Sequence, residues 1–328
     1  MLNEHAKLSA KVFADDIEKK ATRDGFGTGV VEAGKASQNV VVLCADLKES
    51  TRAEEFENAF PDRFVEMGVA EQNMATVGSG MAAAGKIPFI TSYAAFNPGR
   101  NYEQIRTTIA LNHVPVKICG MHAGISVGPD GATHQMLEDI GLMRMLPNMT
   151  VIAPGDAIEA HKAVVAAAKT DGPVYIRFGR AATPVFTTDE TAFSIGKATL
   201  LWDSEKPSVA LISTGSLSYT ALLAAQMLAK EGIEVLVLHV PTIKPLDEAA
   251  VLECAKRTGK VVTIEEHQAA GGFGSAVAEY LTSHHSVPII RLGVQDTFGQ
   301  SGSPEELLVH YKLDTSGIAE AVHTLLSL

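Results

Sequence analysis

Nine short apolar runs, each of seven or eight residues, recur along the chain and constrain its fold more than any other feature. Longer segments with helical spacing of apolar residues lie between them. Continuous apolar strands separated by helices are typical of a parallel sheet that is covered on both faces. The sequence therefore predicts an α/β protein. The nine predicted strands are residues 40–46, 86–93, 115–122, 149–155, 173–179, 208–214, 234–240, 260–267 and 288–294.

Four helices are predicted between these strands. The segment 155–172 has the strongest start signal, because Asp156 is a favoured N-cap and Gly172 is a favoured stop. The other predicted helices are residues 71–85, 218–232 and 274–285.

A polar segment with several turn formers, residues 185–207, separates the first five predicted strands from the last four. A chain of 328 residues suits two domains of the usual size, about 100–200 residues each. We therefore predict a domain boundary near residue 190, with an open, mostly parallel sheet in residues 1–190 and a smaller one in residues 191–328.

Charge and hydropathy exclude several partners. The net charge is −11, and no Lys/Arg run is present, so nucleic acid is not an expected partner. No apolar run approaches the ~20 residues of a membrane span, and the N-terminus lacks the apolar stretch of a signal peptide. We expect a soluble cytoplasmic protein. Its three cysteines are far apart and form no CxxC pair, so buried free thiols are expected.

The strand ends carry the chemically active residues, and ligands of open α/β sheets bind at these ends. The densest example is HAGISVGPDGATHQ, residues 122–135. Its glycines allow close backbone approach to a ligand, and His122, Asp130 and His134 offer acid, base and anion-binding groups. The alternative is a glycine-rich turn whose histidines cap helices. The loop has neither the GxxxxGK[ST] nor the GxGxxG spacing, so a nucleotide cradle is not indicated.

Glu71 begins a predicted helix of small and apolar residues. It could simply complement the helix dipole, which contributes ~0.3–1 kcal/mol. It could also be a partly buried carboxyl that shares a proton with a ligand nitrogen. The spacing alone leaves both open.

Three aromatic residues, Tyr93, Phe96 and Tyr102, surround an Asn-Pro-Gly turn. They form either a ring-stacking wall for a ligand or core filling beneath a loop.

Together these segments resemble the transketolase family. Five segments look like its pyrimidine-binding domain, with GVAEQNM and DGATHQ as the most specific pair; they are residues 68–85, 93–106, 122–135, 146–160 and 172–180. Residues 264–281, IEEHQAAGGFGSAVAEYL, resemble its C-terminal domain. The similarity runs collinearly through essentially the whole chain.

The resemblance implies a cofactor, thiamine diphosphate. Glu71 matches the glutamate that hydrogen-bonds the aminopyrimidine ring and promotes its imino tautomer. Phe96, then Tyr93, match the aromatic wall around that ring, while Tyr102 is expected to be structural. Asp46 matches a carboxylate near the thiazolium.

The resemblance also implies substrate-binding residues. Asp130 matches a residue that reads a substrate hydroxyl, and His134 matches one beside the reacting carbonyl. A dianionic sugar phosphate needs a cationic pocket whatever the net charge of the chain. The matching phosphate-gripping positions are Arg23, Ser50, His122 and Arg180.

One family element is missing. Whole-chain transketolases begin with a diphosphate-binding domain, in which GDG and a following Asn hold Mg²⁺, and this sequence has no GDG. The resemblance therefore implies the C-terminal subunit of a split transketolase. We expect an N-terminal partner subunit to supply the Mg²⁺ and diphosphate ligands in a two-fold heterotetramer. The donor and acceptor sugars are not identified by the sequence.

Three alternatives remain at this point. The beta subunit of a 2-oxo acid dehydrogenase has similar length and domains, but it does not need a sugar-phosphate grip. Deoxyxylulose-phosphate synthase is a second relative and normally carries its own diphosphate domain. A non-catalytic partner subunit is the third, although the retained Glu71, His122, Asp130 and His134 count against it.

Overall fold

The computed structural model describes residues 1–328 and has two large, mostly parallel sheets flanked by helices. All nine predicted runs contain a strand, so the α/β prediction is confirmed. The strands are β1 (Lys19–Lys20), β2 (Val40–Cys44), β3 (Phe64–Glu66), β4 (Ile87–Tyr93), β5 (Lys117–Met121), β6 (Thr150–Ile152), β7 (Val174–Arg177), β8 (Thr183–Pro184), β9 (Thr199–Trp202), β10 (Val209–Ser213), β11 (Val235–His239), β12 (Thr242–Lys244), β13 (Val261–Gln268) and β14 (Ile289–Val294).

Helices cover both sheets, and short 3₁₀ turns shape several loops. The four predicted helices are all present, although α7 ends at Ala168, before Gly172. The Asp156 carboxylate accepts a hydrogen bond from Glu159 N at 3.0 Å, so the predicted N-cap is confirmed. The helices are α1 (Thr22–Ala36), α2 (Lys48–Thr51), α3 (Glu54–Ala59), α4 (Glu71–Ala83), α5 (Tyr102–Gln104), α6 (Asp139–Met145), α7 (Ala157–Ala168), α8 (Leu217–Lys230), α9 (Glu248–Thr258), α10 (Phe273–His284), α11 (Pro304–His310) and α12 (Thr315–Ser327).

The first sheet has seven strands in the order β12-β6-β7-β5-β4-β2-β3. The six strands from β6 to β3 are parallel, and β12 pairs antiparallel with β6. Because β12 comes from the chain beyond residue 190, the second half of the sequence supplies the edge of the first sheet.

The second sheet has five strands in the order β14-β13-β10-β11-β9. Only β9 runs antiparallel to its neighbour. β9 lies inside the segment that the sequence indicated as polar, since polar and turn-forming residues flank its short apolar stretch on both sides. The sheet is buried between α8 and α12 on one face and α9 and α10 on the other.

The predicted boundary near residue 190 stays a prediction, and two segments cross it. β12 is one of them. The other is the N-terminus, where Asn3 N donates to Leu201 O at 2.9 Å and the ring of Phe13 lies 6.1 Å from that of Trp202. All three cysteine thiols are free and buried, as expected. None of the helices combines the length and apolar character that crossing a bilayer requires.

Candidate functional site

The predicted site residues gather at the carboxyl ends of four adjacent strands. In the order β7-β5-β4-β2, these ends lead to Arg180, His122, Tyr93 and Ser50. Parallel strands place their carboxyl ends at one edge of the sheet, which is where ligands bind in open α/β folds. The topology therefore brings together residues that lie up to 130 positions apart, from Ser50 to Arg180.

Two aromatic rings and two imidazoles form the centre of this edge. The ring of Tyr93 stacks on that of His122, with centroids 4.1 Å apart and planes 21° apart. Phe96 lies 6.0 Å from Tyr93, and the His134 ring meets Tyr93 and Phe96 edge-on at 5.9 and 5.6 Å. The structure thus brings together the two aromatics expected to stack on a ligand. Tyr102 instead packs against the hydrophobic core.

Glu71 is the first residue of α4, and it is only 2% exposed. Its Oε2 accepts a hydrogen bond from Arg100 Nη1 at 2.7 Å, in an ion pair whose arginine is half-exposed. Its Oε1 has a single long contact, with Ser92 Oγ at 3.4 Å. One carboxylate oxygen is therefore fixed, and the other retains acceptor capacity.

Arg100 and Ser92 were not predicted from the sequence. Arg100 also lies over the Phe96 ring, with its Cζ 4.5 Å from the centroid, so it joins the carboxylate to the aromatic wall. The sequence does single out Arg100, because it is the one basic residue in the segment 91–101. Nothing in the local pattern, however, shows that this cation faces a glutamate 29 positions away.

The basic end of the site is built from Arg23 and His122. Arg23 Nη1 lies 2.8 Å from Ser50 O and 3.0 Å from His122 Nε2. Because a guanidinium only donates hydrogen bonds, His122 Nε2 must be the acceptor, and the proton of the neutral ring resides on Nδ1. That buried Nδ1 has no hydrogen-bond partner in the chain. The imidazole therefore faces Arg23 with its acceptor nitrogen. Ser50 contributes its carbonyl oxygen to this contact.

The charge state of His122 follows from its surroundings. Burial, followed by the positive charges of Arg23 and Arg180, lowers the pKa of His122 to about 3. The ring is therefore neutral at physiological pH, and the positive charge of this pocket comes from the arginines.

Arg180 and Asp130 close the other side of the basic end. Arg180 Nη1 donates to Val127 O at 2.8 Å and lies 3.8 Å from Asp130 Oδ2. Both side chains are more than one-third exposed, so they remain accessible to a ligand. His134 follows a 3₁₀ turn, and its Nδ1 lies 2.9 Å from Thr133 Oγ1.

Asp46 lies at the same edge of the sheet, where it follows β2, but it is less integrated into the cluster. It is exposed, its φ is 57°, and its backbone N–H donates to Glu66 Oε1 at 2.8 Å. Its carboxylate makes no hydrogen bond to the other site residues. A role for Asp46 at a cofactor stays a prediction.

Comparison with known proteins identifies this arrangement. The family model for the transketolase pyrimidine-binding domain matches residues 18–185, and that for the transketolase C-terminal domain matches residues 196–318. A protein described as a transketolase C-terminal section, from Methanocaldococcus jannaschii, is 42% identical over 92% of this chain and 95% of its own length. A 6-deoxy-6-sulfo-D-fructose transketolase subunit from Clostridium is 39% identical over 95% and 96%.

A solved structure shows that the fold is also similar to that of a transketolase. A split-gene transketolase, described as an inactive beta4 tetramer, superposes with a TM-score of 0.87 and 43% identity, covering 94% of this chain and 99% of that one. Rat transketolase is 38% identical, but the chain spans only 50% of its length. The resemblance found in the sequence is therefore confirmed: the chain belongs to the transketolase family and forms the pyrimidine-binding and C-terminal part of a thiamine-diphosphate-dependent transketolase.

Proposed function

We propose that the chain is the C-terminal subunit of a split transketolase, and that it transfers a two-carbon ketol unit from a ketose phosphate, or a similar anionic ketose, to an aldose. One juxtaposition carries this proposal. A buried glutamate beside aromatic rings shares a strand edge with two arginines and a neutral histidine. A site that only decarboxylated a 2-oxo acid would not need that basic end, so the 2-oxo acid dehydrogenase alternative is disfavoured.

The residues fit the pyrimidine half of thiamine diphosphate. Glu71 Oε1, with only its 3.4 Å contact, can accept a hydrogen bond from a ring nitrogen. Phe96 and Tyr93 supply aromatic surface next to it. When bound, the cofactor supplies the carbon nucleophile that attacks the ketose carbonyl.

Proton transfer, substrate hydrogen bonding and anion binding are then performed by side chains of this chain. Glu71 holds and returns a proton at the pyrimidine nitrogen. His134 donates a hydrogen bond where negative charge develops on the substrate carbonyl oxygen. Asp130 accepts a hydrogen bond from a substrate hydroxyl, while Arg23 and Arg180 bind the distal anion, with His122 beside Arg23. Neutral His122 accepts a hydrogen bond from Arg23 through Nε2, and it therefore orients this guanidinium without adding charge.

We propose that an N-terminal partner subunit supplies the ligands for Mg²⁺ and the diphosphate. The pattern of relatives supports this division, because this chain corresponds to half of the rat enzyme and to nearly all of two subunit-sized relatives. The split-gene relative is described as inactive in its beta4 form. We propose a two-fold heterotetramer as the active assembly.

The direct test combines the purified chain with its partner subunit, thiamine diphosphate and Mg²⁺, and measures ketol transfer from a ketose phosphate. The chain alone is expected to be inactive and to bind the cofactor weakly, and activity is expected when the partner is added. Robust turnover by the chain alone would reject the division of the site between subunits. Absence of ketol transfer by the mixture would reject the function, and light scattering that shows only a 1:1 complex would reject the heterotetramer.

A second prediction separates the anion grip from the chemistry. Arg180→Ala or Arg23→Ala should mainly raise KM for a phosphorylated ketose by about 10–150-fold, because a charged hydrogen bond contributes ~1.5–3 kcal/mol. His134→Ala should instead lower kcat, since its side chain lies at the reacting end. Steady-state kinetics with a ketose phosphate and with hydroxypyruvate distinguish the two effects.

Hydroxypyruvate lacks the distal phosphate, so its use as a donor should be sensitive to His134→Ala and nearly insensitive to the arginine changes. Arg52→Ala is a matched control, because Arg52 is a nearby part-buried arginine paired with Asp24 instead of a ligand. If Arg180→Ala impairs the use of hydroxypyruvate as severely as that of the sugar phosphate, Arg180 acts at the cofactor site or in stabilising the fold, and not on the distal anion.

A further inference from the structure

A segment of the C-terminal domain covers the loop that carries Asp130 and His134. We call residues 298–304 the covering segment. A Cβ at Gly128 would lie 3.3 Å from Gly302 O, and one at Gly131 would lie 2.7 Å from Ser301 Oγ. The loop and the covering segment are therefore in close contact, with glycines where an added Cβ would press on the covering segment.

Gln135 ties these two parts together. It is only 4% exposed, and its Nε2 lies 3.1 Å from Ile125 O, 3.3 Å from Gly128 O and 2.9 Å from Gln300 O. The first two acceptors belong to the loop, and the third belongs to the covering segment. One side-chain amide thus closes the loop on itself and fastens it to the other domain.

Gly299 makes room for this amide. A Cβ at position 299 would collide with Gln135 Oε1, an atom that is buried and has no hydrogen-bond partner. The Oε1 atom faces the space that the missing side chain leaves free. Leaving the buried Oε1 unpaired costs free energy, and the hydrogen bonds of Nε2 to three carbonyls offset this cost. These carbonyls and the backbone at Gly299 therefore determine the position of the carboxamide.

We propose that Gln135 is a positioning residue, through which the C-terminal domain holds Asp130 and His134 in their productive places for ketol transfer. This inference rests on the function proposed above. His134 N and Gln135 N both donate to Gly131 O, at 3.0 and 3.1 Å, so a shift of Gln135 is transmitted directly to its neighbours. A displacement of about 1 Å can cost about 10²-fold in rate when reacting groups must be aligned.

The first test is Gln135→Met, which keeps the length of the side chain and removes its hydrogen bonds. Ile125 O and Gly128 O keep backbone partners in this variant, so the fold is retained. In the complex with the partner subunit, kcat/KM for a ketose phosphate should fall about 10-fold or more. The Kd for thiamine diphosphate should change much less than kcat/KM, because Glu71 and Phe96 do not contact Gln135.

A second readout does not depend on activity. Amide hydrogen exchange in residues 125–135 of the isolated chain should become about 10-fold faster in Gln135→Met. Gln295→Met is the matched control, because Gln295 Nε2 also donates to two backbone carbonyls, Arg291 O and Gly293 O, but it does not touch the loop. Exchange in the loop should be unaffected by this control.

A double-mutant cycle tests the contact itself. Gly299→Ala should accelerate exchange in the loop in the natural sequence, since the new methyl group displaces the carboxamide. The same change should have little further effect in Gln135→Ala, because the colliding atom is gone.

Additive effects in this cycle, or loop exchange that Gln135→Met leaves unchanged, would overturn the proposal. A loss of kcat/KM accompanied by an equal loss of cofactor affinity would also overturn it, because the effect would then not be confined to the substrate loop. If the natural mixture shows no ketol transfer, the proposed function fails, and the exchange measurements still decide whether Gln135 holds the loop.

Discussion

Replacing Glu71 by Gln is expected to lower the turnover of the assembled enzyme by about 10²–10⁴-fold, the usual cost of losing a general acid or base. The amide keeps the shape of the side chain and an oxygen for the 2.7 Å hydrogen bond from Arg100. It cannot exchange a proton with a pyrimidine nitrogen. The loss should therefore appear in kcat, measured by steady-state ketol transfer, with little change in the thermal unfolding of the chain.

Ser92→Ala is the control for this experiment. Ser92 Oγ reaches Glu71 Oε1 only at 3.4 Å, so its removal perturbs the pocket without removing the proton carrier. Its effect on kcat should be small. Near-normal kcat in Glu71→Gln would remove Glu71 from the mechanism, whatever the result for Ser92.

Asp139→Ala is expected to cause the largest loss of stability, about 3–5 kcal/mol, because it strands a buried arginine. Asp139 Oδ2 accepts hydrogen bonds from Arg177 Nε at 2.8 Å and Tyr175 OH at 2.7 Å, and the carboxylate is fully buried. Arg177 also donates to Glu266 O at 2.7 Å, across to the second sheet. Urea unfolding followed by circular dichroism measures the change.

The surface pair of Asp203 and Arg257 provides a matched comparison. Arg257 Nη2 lies 2.6 Å from Asp203 Oδ1, which is as close as the contacts of Asp139, but both side chains are about one-third exposed. Asp203→Ala should therefore cost only about 0–1 kcal/mol. Equal losses in the two variants would show that burial does not determine the contribution of Asp139.

Nine of the twelve strands in the two sheets were predictable because each lies in a continuous apolar run, and this pattern depends only on neighbouring residues. The arrangement of Arg180, His122, Tyr93 and Ser50 along one edge also follows, since parallel strands align their carboxyl ends. The pairing of Arg100 with Glu71 could not be predicted in the same way. It depends on how β4 and α4 pack, and no local pattern specifies that contact.

Other features were hidden for the same reason. β3, β9 and β12 were not predicted, because none of them lies in an apolar run of seven or eight residues like those of the other nine strands. The contact of Ser50 through its carbonyl oxygen was also not predictable, because a serine in a sequence suggests its hydroxyl. The resemblance to transketolase predicted that His122, Tyr93 and Phe96 belong to one site, whereas the structure was needed to show that Arg100 joins them and which atoms make the contacts.

The crossing of β12 into the first sheet limits how this protein can be divided. Ala153 N donates to Pro241 O at 2.8 Å, and β12 pairs with β6 just beside this bond. A fragment that ended near residue 190 would leave the β6 edge with unpaired N–H and C=O groups, which are a template for pairing with other chains. The two halves are therefore not interchangeable modules. Gene fusions, swaps of the C-terminal half and truncations must all preserve β12, which the second half of the chain contributes to the first sheet.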